Sequence, residues 1–227
     1  NVAPVIVNKT AVYPQAQGGH LRELTYDWRS QGYTAADLCL LSTHLFNNKE
    51  VVDLAFSRTP QQTLWVVMND GKLLGLTYLP DQEIAAWHQH VTDGIFESIC
   101  VVTEGNNDVL YAIVKRTING VDKRYIEMMD SRHFTSLSDA FFVDCGLTYD
   151  GVSTSTITGL DHLEGKTVAI LADGKVQPSK VVTGGAITLT TAASKVQVGL
   201  PIDAYIETVP ASVQAGDPSF GQGRVKN

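Results

Sequence analysis

The chain has 227 residues, 44% of them hydrophobic and 18% charged, so it can bury a sizeable core and lacks the low-hydropathy, high-charge profile of a disordered protein. Seventeen Lys and Arg against 24 Asp and Glu leave a net charge of −7 with no basic patch, which argues against tight neutralisation of a phosphate backbone. No apolar run approaches the ~20 residues that cross a bilayer, and residues 1–20 lack a charged start followed by an apolar stretch, so neither a membrane span nor a signal peptide is predicted.

Along the chain, Val2 to Val12 is apolar and β-branched, and Leu21 to Trp28 follows the turn Gln17-Gly18-Gly19, which reads as strand, turn and strand. Thr34-Ala35-Ala36-Asp37 has a hydroxyl three residues before a carboxylate, the pattern of a helix start, and Leu38, Leu41 and Leu45 recur at helical spacing. A short helix over residues 35–45, lying on the sheets, is therefore expected. Short strands are predicted at Val51 to Phe56, Leu64 to Met68, Leu73 to Tyr78, Ile84 to His88, Phe96 to Val102, Tyr111 to Lys115 and Tyr125 to Met129. Asp70-Gly71 and Asn119-Gly120 supply tight hairpin turns with positive φ.

After Asp144 aromatic residues thin out and Thr, Val, Gly and Ala dominate. Strands at Thr167 to Leu171, Val176 to Val182, Ile187 to Thr190 and Lys195 to Val198, with turns at Asp173-Gly174 and Gly184-Gly185, suggest a small β-barrel over 144–209. Residues 210–227, rich in Gly, Pro and Ser, read as an extended linker or strap. The chain starts at Asn1 without a methionine and stops just after that Gly-rich stretch, which suggests a piece of a longer polypeptide.

One pattern recurs. Leu64-Trp65-Val66-Val67 returns as Leu110-Tyr111-Ala112-Ile113 after 110 − 64 = 46 residues, and Leu24-Thr25-Tyr26 returns as Leu76-Thr77-Tyr78 after 76 − 24 = 52. Repeats of about 40 to 50 residues with four short strands each are the period of propeller blades. The expected architecture is all-β: a partial β-propeller over 1–143, carrying the short helix, followed by the small barrel. An ordinary β-sandwich is the alternative.

Chemistry-bearing constellations are sparse. His88 and His90 alternate on one strand and could share a metal with Asp81 and Glu83, but a solvated strand edge is the better reading. Cys145 lies near His162 in sequence, but no neighbour lowers its pKa. Ser42 with His44, and Asp139 with His133, lack the glycines of a nucleophile elbow. Glu127 and Asp130 are carboxylates that could flank a sugar. No glycine-rich loop is followed by Lys-Ser or Lys-Thr, so nucleotide binding is not predicted. Trp28, Trp65 and Trp87 are expected to pack between sheets. Cys39, Cys100 and Cys145 are scattered singly without CxxC spacing, which predicts neither a disulfide framework nor a zinc knuckle and fits a reducing compartment. Catalytic, cofactor-binding and metal-binding residues are accordingly expected to be none.

Five blocks carry a resemblance: DLCLLSTHLF at 37–46, LWVVMNDGKLLGLTYLPDQEIAAWHQH at 64–90, DCGLTYDG at 144–151, GLDHLEGKTVAILADG at 159–174 and VGLPIDAYIETVP at 198–210. Together they resemble the nozzle, or tail tubular protein B-like, family of short-tailed bacteriophages. That resemblance implies propeller and barrel modules, the latter similar to a domain of ubiquitin-activating enzymes, assembled as a ring below the portal and adaptor. It implies a virion tail protein, made in the bacterial host cytoplasm, with no enzymatic role and no cofactor. Its partners would be further copies, a portal-side adaptor, other tail proteins and DNA in passage. A glycan-binding or glycan-cleaving tail module, with Trp87 or Trp28 stacked on sugar, is the alternative. The acidic balance suits a conduit that repels the DNA backbone over a screening length of about 8 Å.

Overall fold

The computed structural model describes residues 2–17, 19–79, 82 and 84–206. The described chain is all-β, with four antiparallel sheets. The first sheet is a meander of β1 (Val5–Val7), β2 (Thr10–Pro14), β3 (Leu21–Asp27) and β4 (Gly32–Asp37). The second repeats that order with β5 (Val51–Ser57), β6 (Thr63–Met68), β7 (Leu73–Leu79) and β8 (Ile84–His90). The third has β9 (Ile95–Glu104), β10 (Asn107–Ile118) and β11 (Val121–Met128). The fourth, of β12 (Asp144–Thr158), β13 (Thr167–Ala172), β14 (Lys175–Val181) and β15 (Ala186–Leu200), runs in the order β12-β15-β13-β14.

Period-two alternation decides how the first three sheets stack. All six residues of β6 are buried, because the second sheet is covered on both faces. Leu64, Val66 and Met68 point one way and join Leu74, Leu76 and Tyr78 in a core with Val7, Val12, Leu21 and Phe46 of the first-sheet segment. Trp65 and Val67 point the other way, and with Ala55 and Leu73 they pack on Ile99, Leu110, Ala112 and Val114 of the third sheet. Between the second and third sheets Asp53 adds polar stitches, accepting from Ser98 Oγ at 2.8 Å and the Ile99 amide at 2.9 Å.

The fourth sheet keeps its core to itself. Ile157, Leu163, Val168, Ile170, Ile187, Leu189, Val196 and Val198 form a separate cluster. β12 pairs with β15 over two stretches, Asp144 to Asp150 and Thr154 to Thr158, with register shifts between the stretches and near the start of each. At the first stretch the two strands approach through glycines: a Cβ on Gly199 would lie 2.7 Å from Gly146 Cα, and one on Gly146 would lie 2.6 Å from the Val198 carbonyl oxygen.

Four expectations need correction. Residues 35–45 form no α-helix: Ala35, Ala36 and Asp37 belong to β4, paired with Leu24, Glu23 and Arg22, and only Thr43–Leu45 makes a 3-10 turn. The Asp37 carboxylate accepts from the Cys39 amide at 2.8 Å, a local turn that competes with helix, and Leu41 is 93% exposed, so the leucine stripe is broken. None of the sheets closes into a barrel among the described residues; β12 and β14 are the open edges of the fourth. Residues 187–190 and 195–198 belong to one long strand, β15. At Asp70-Gly71 only the glycine has positive φ, whereas both residues of Asn119-Gly120 and of Asp173-Gly174 do. The expected linker at 210–227 lies outside the described residues, as does Gly18 of the first turn.

Candidate functional site

β8 pairs with β7 so that His88 lies opposite Gly75 and His90 opposite Leu73. The His88 ring occupies the space above that glycine: a Cβ there would meet His88 Cε1 at 2.1 Å. His88 Nδ1 and His90 Nε2 are 3.0 Å apart, so one ring donates and the other accepts. Both rings pack on Trp65, at centroid distances of 5.6 and 5.4 Å, so the expected solvated strand edge is not found: the strand turns these two side chains onto the sheet and away from water. Burial makes both imidazoles harder to protonate, as does the nearby Arg132 guanidinium; His90, which also faces His88, is pushed down to about 4. The pair is thus held together by one mutual hydrogen bond, and a shared metal would require that bond to open. Asp81 and Glu83, the expected oxygen ligands, lie outside the described residues. Among the described residues no group of three or more His, Cys, Asp and Glu could hold a metal ion.

The second polar constellation joins the third sheet to the fourth. Arg116 is 3% exposed and binds both carboxylate oxygens of Glu127 at 2.6 Å, while its Nη1 donates to the Asp93 carbonyl at 2.8 Å. Asp144, at the start of β12, lies 3.7 Å from the guanidinium and accepts from Thr92 Oγ1 at 2.6 Å. Burial opposes the charge on Arg116, but the anionic groups around it, Glu127 foremost and Asp144 among them, together outweigh that and raise the pKa. Cys145 donates its thiol to Glu127 at 3.7 Å, and burial, aided by that carboxylate, pushes it up to about 12. Its φ of 52° places it in the left-handed region at the register shift of β12. His162 Nε2 contacts the Cys145 carbonyl oxygen at 2.9 Å, so imidazole and residue meet through the backbone. A thiol held protonated in this way is not an activated nucleophile.

The remaining candidates separate. Trp65 is buried as expected, and Trp87 is half-buried, donating to the Leu38 carbonyl at 2.8 Å and packing on Phe46 at 4.8 Å. Trp28 departs from the expected core: it is 75% exposed, with the Arg29 guanidinium 5.8 Å from its ring, because it lies just beyond the end of β3. Ser42 leads into the 3-10 turn that carries His44, where its carbonyl accepts from the Leu45 amide at 3.0 Å. Glu127 is bound to Arg116, whereas Asp130 lines a cleft beside the fourth sheet with His133 and Asp139, so Glu127 and Asp130 serve different surroundings.

Sequence reasoning did not single out Arg116 as the centre of a buried network. The signal was present: in β10, Leu110, Ala112, Val114, Arg116 and Ile118 share one buried face, and a lone charge in such a row needs a buried partner. Neither a scan of protein-family models nor a search of curated proteins returns a match to the chain.

Proposed function

We propose that the chain is a non-enzymatic structural component of a phage tail, part of a nozzle or tube wall whose full-length form makes a homo-oligomeric ring on a portal-side adaptor and passes DNA to the host. The observation that supports this most is the direction in which the repeat faces. Leu64 in β6 packs toward the preceding sheet, and Leu110, its counterpart in β10, also packs toward the preceding sheet. Trp65 faces the following sheet; Tyr111 and Ile113 face the same way in the third sheet, where Ile113 is 38% exposed beside the more exposed Ile126 and Met128. The first sheet mirrors this: Leu76 and Tyr78 pack toward the sheet before theirs, while their echoes Leu24 and Tyr26 lie on an outer face, Tyr26 being exposed. Sheets that repeat in this sense, with exposed apolar side chains on both end faces, are what a partial propeller requires. In the same reading the fourth sheet, whose long strands β12 and β15 shift register around one core, is the separate module that follows the partial propeller.

The charge distribution is compatible with passage of DNA. On the third sheet Lys115 pairs with Asp122, Arg116 with Glu127 and Arg124 with Glu97, which leaves little basic field to hold a phosphate backbone. Electron microscopy of the purified protein and of labelled virions tests the proposal. Rings of uniform size, or label at the tail, are the expected outcome; dispersed monomers together with virions that carry no label at the tail overturn it.

One observation favours the second reading, a glycan-binding or glycan-cleaving tail module. Trp28 is solvent-exposed near the β3–β4 hairpin, where Tyr26 and Tyr33 contact edge to face at 5.3 Å, so flat aromatic surface is available to sugar. Trp87 is not, because it packs on Phe46. Depolymerisation of host lipopolysaccharide or capsule by the protein would support this reading.

A further inference from the structure

The segment that follows β11 folds over the fourth sheet and leaves an open cleft of about 390 Å³ between them. That volume is at the lower end of the ~300–1,000 Å³ usual for small-molecule sites. Its floor is Gln197, 2% exposed, whose amide is held in place on both sides: Oε1 accepts from Thr148 Oγ1 at 2.5 Å, and Nε2 donates to the Ser138 carbonyl at 2.9 Å. Lys195 lies between Asp139 and Asp150, with the Asp150 contact at 3.3 Å. Asp130 and Phe134 also line it, Phe134 being 39% exposed and braced edge to face by Phe142 at 5.6 Å.

We propose that this cleft binds one neutral sugar residue, its hydroxyls bridging the carboxylates and the Lys195 ammonium while its C–H face rests on Phe134. A sugar hydroxyl donates one hydrogen bond and accepts others, so it is best satisfied where acceptors and donors stand side by side. Asp130 and Asp139 are acceptors, and Lys195 is a donor, within one lining. Phosphates and nucleotides are disfavoured because Lys195 is already neutralised by two carboxylates and Asp130 adds a further negative charge. A divalent cation is disfavoured because the ammonium stands beside Asp139, and no cluster of metal-ligating side chains occurs here among the described residues. The cleft belongs to a single chain, so the site does not depend on ring assembly, and Trp28 takes no part in it.

The test is a titration of the full chain, followed by amide NMR, with glucose, galactose and N-acetylglucosamine in separate experiments and calcium chloride as a further arm. Saturable shifts at Ser131, His133, Thr148 and Gln197, with a Kd on the order of 1 mM for at least one sugar, are expected. Phe134→Ala and Asp130→Asn should each weaken that binding by about tenfold or more, and Asp130→Asn should leave the melting temperature unchanged. No shift at these amides with any of the sugars overturns the proposal, as does a response to calcium alone. Undiminished sugar binding in both variants also overturns it. Binding that survives Trp28→Ala but is lost in Phe134→Ala assigns the sugar to this cleft and not to the exposed hairpin.

Discussion

Residues 5–128 and residues 144–200 are both antiparallel β-structure, yet they bury their side chains by opposite means. In the first region every ladder joins strands adjacent in the chain, and the cores lie between sheets. In the second, β15 returns to pair with both β12 and β13, Asp144 meets Leu200, and the core lies within one folded sheet. A stacked sheet can satisfy a face only by acquiring another sheet, and the two ends of the stack keep exposed apolar side chains, among them Ile6 and Tyr26 on the first sheet and Ile126 and Met128 on the third. A sheet that folds on itself needs no neighbour. The contrast separates a region whose outer faces stay uncovered from one that completes its own core.

Three measurements sharpen or break this contrast. The largest effect is expected at the joint. Arg116→Ala leaves Glu127 and Asp144 without their buried cation, and removing one partner of such a pair costs about 3–5 kcal/mol. Urea unfolding monitored separately in the two regions should show the variant's transitions moving apart; transitions that stay together and unshifted would remove the joint from the account. Leu76→Ala comes next, at about 2–4 kcal/mol, because Leu76 is fully buried between the first and second sheets. Hydrogen exchange should accelerate in β1 to β8 and leave β13 to β15 protected. Equal acceleration in the fourth sheet would mean that the regions do not have separate cores.

The smallest effect is that of pH. His88 and His90 bind protons less readily when folded than when unfolded, so their contribution is fully present above about pH 6.5 and is lost as pH falls toward 4. The stack should lose on the order of 2 kcal/mol across that window. The His88→Gln, His90→Gln double variant should flatten the slope there, and an unchanged slope would mean that other groups set it. The carboxylates held low by partners, among them Asp37, Asp70 and Asp108, act in a separate window below their usual value of 3.8, where their stabilisation is lost on protonation.

Much of the stack was legible residue by residue. Alternating apolar runs between turn residues placed β5 to β9 close to their observed positions but caught only the middle of β10 and the second half of β11, and Asn119-Gly120 and Asp173-Gly174 marked hairpins correctly. β12 was invisible because most of its residues are exposed and its first stretch depends on Gly146 fitting against Gly199. The buried network was only half visible: Arg116 stood out of pattern in an apolar row, but Glu127, Asp93 and Asp144 come from three other segments. The cleft beside Gln197 could not be read at all, since its walls are about sixty residues apart in the chain.

By itself, the sequence determined that this protein is built of short antiparallel strands, because side chains alternate across a strand and Gly, Asn and Asp mark where it turns. Only the tertiary structure decided that residues 32–37 extend the first sheet instead of starting a helix, since the free edge of β3 offers hydrogen-bond partners that no local window contains. It also decided which sheet covers which face, and where a charge is buried. Those outcomes follow from contacts between segments distant in the chain, which local spacing does not encode.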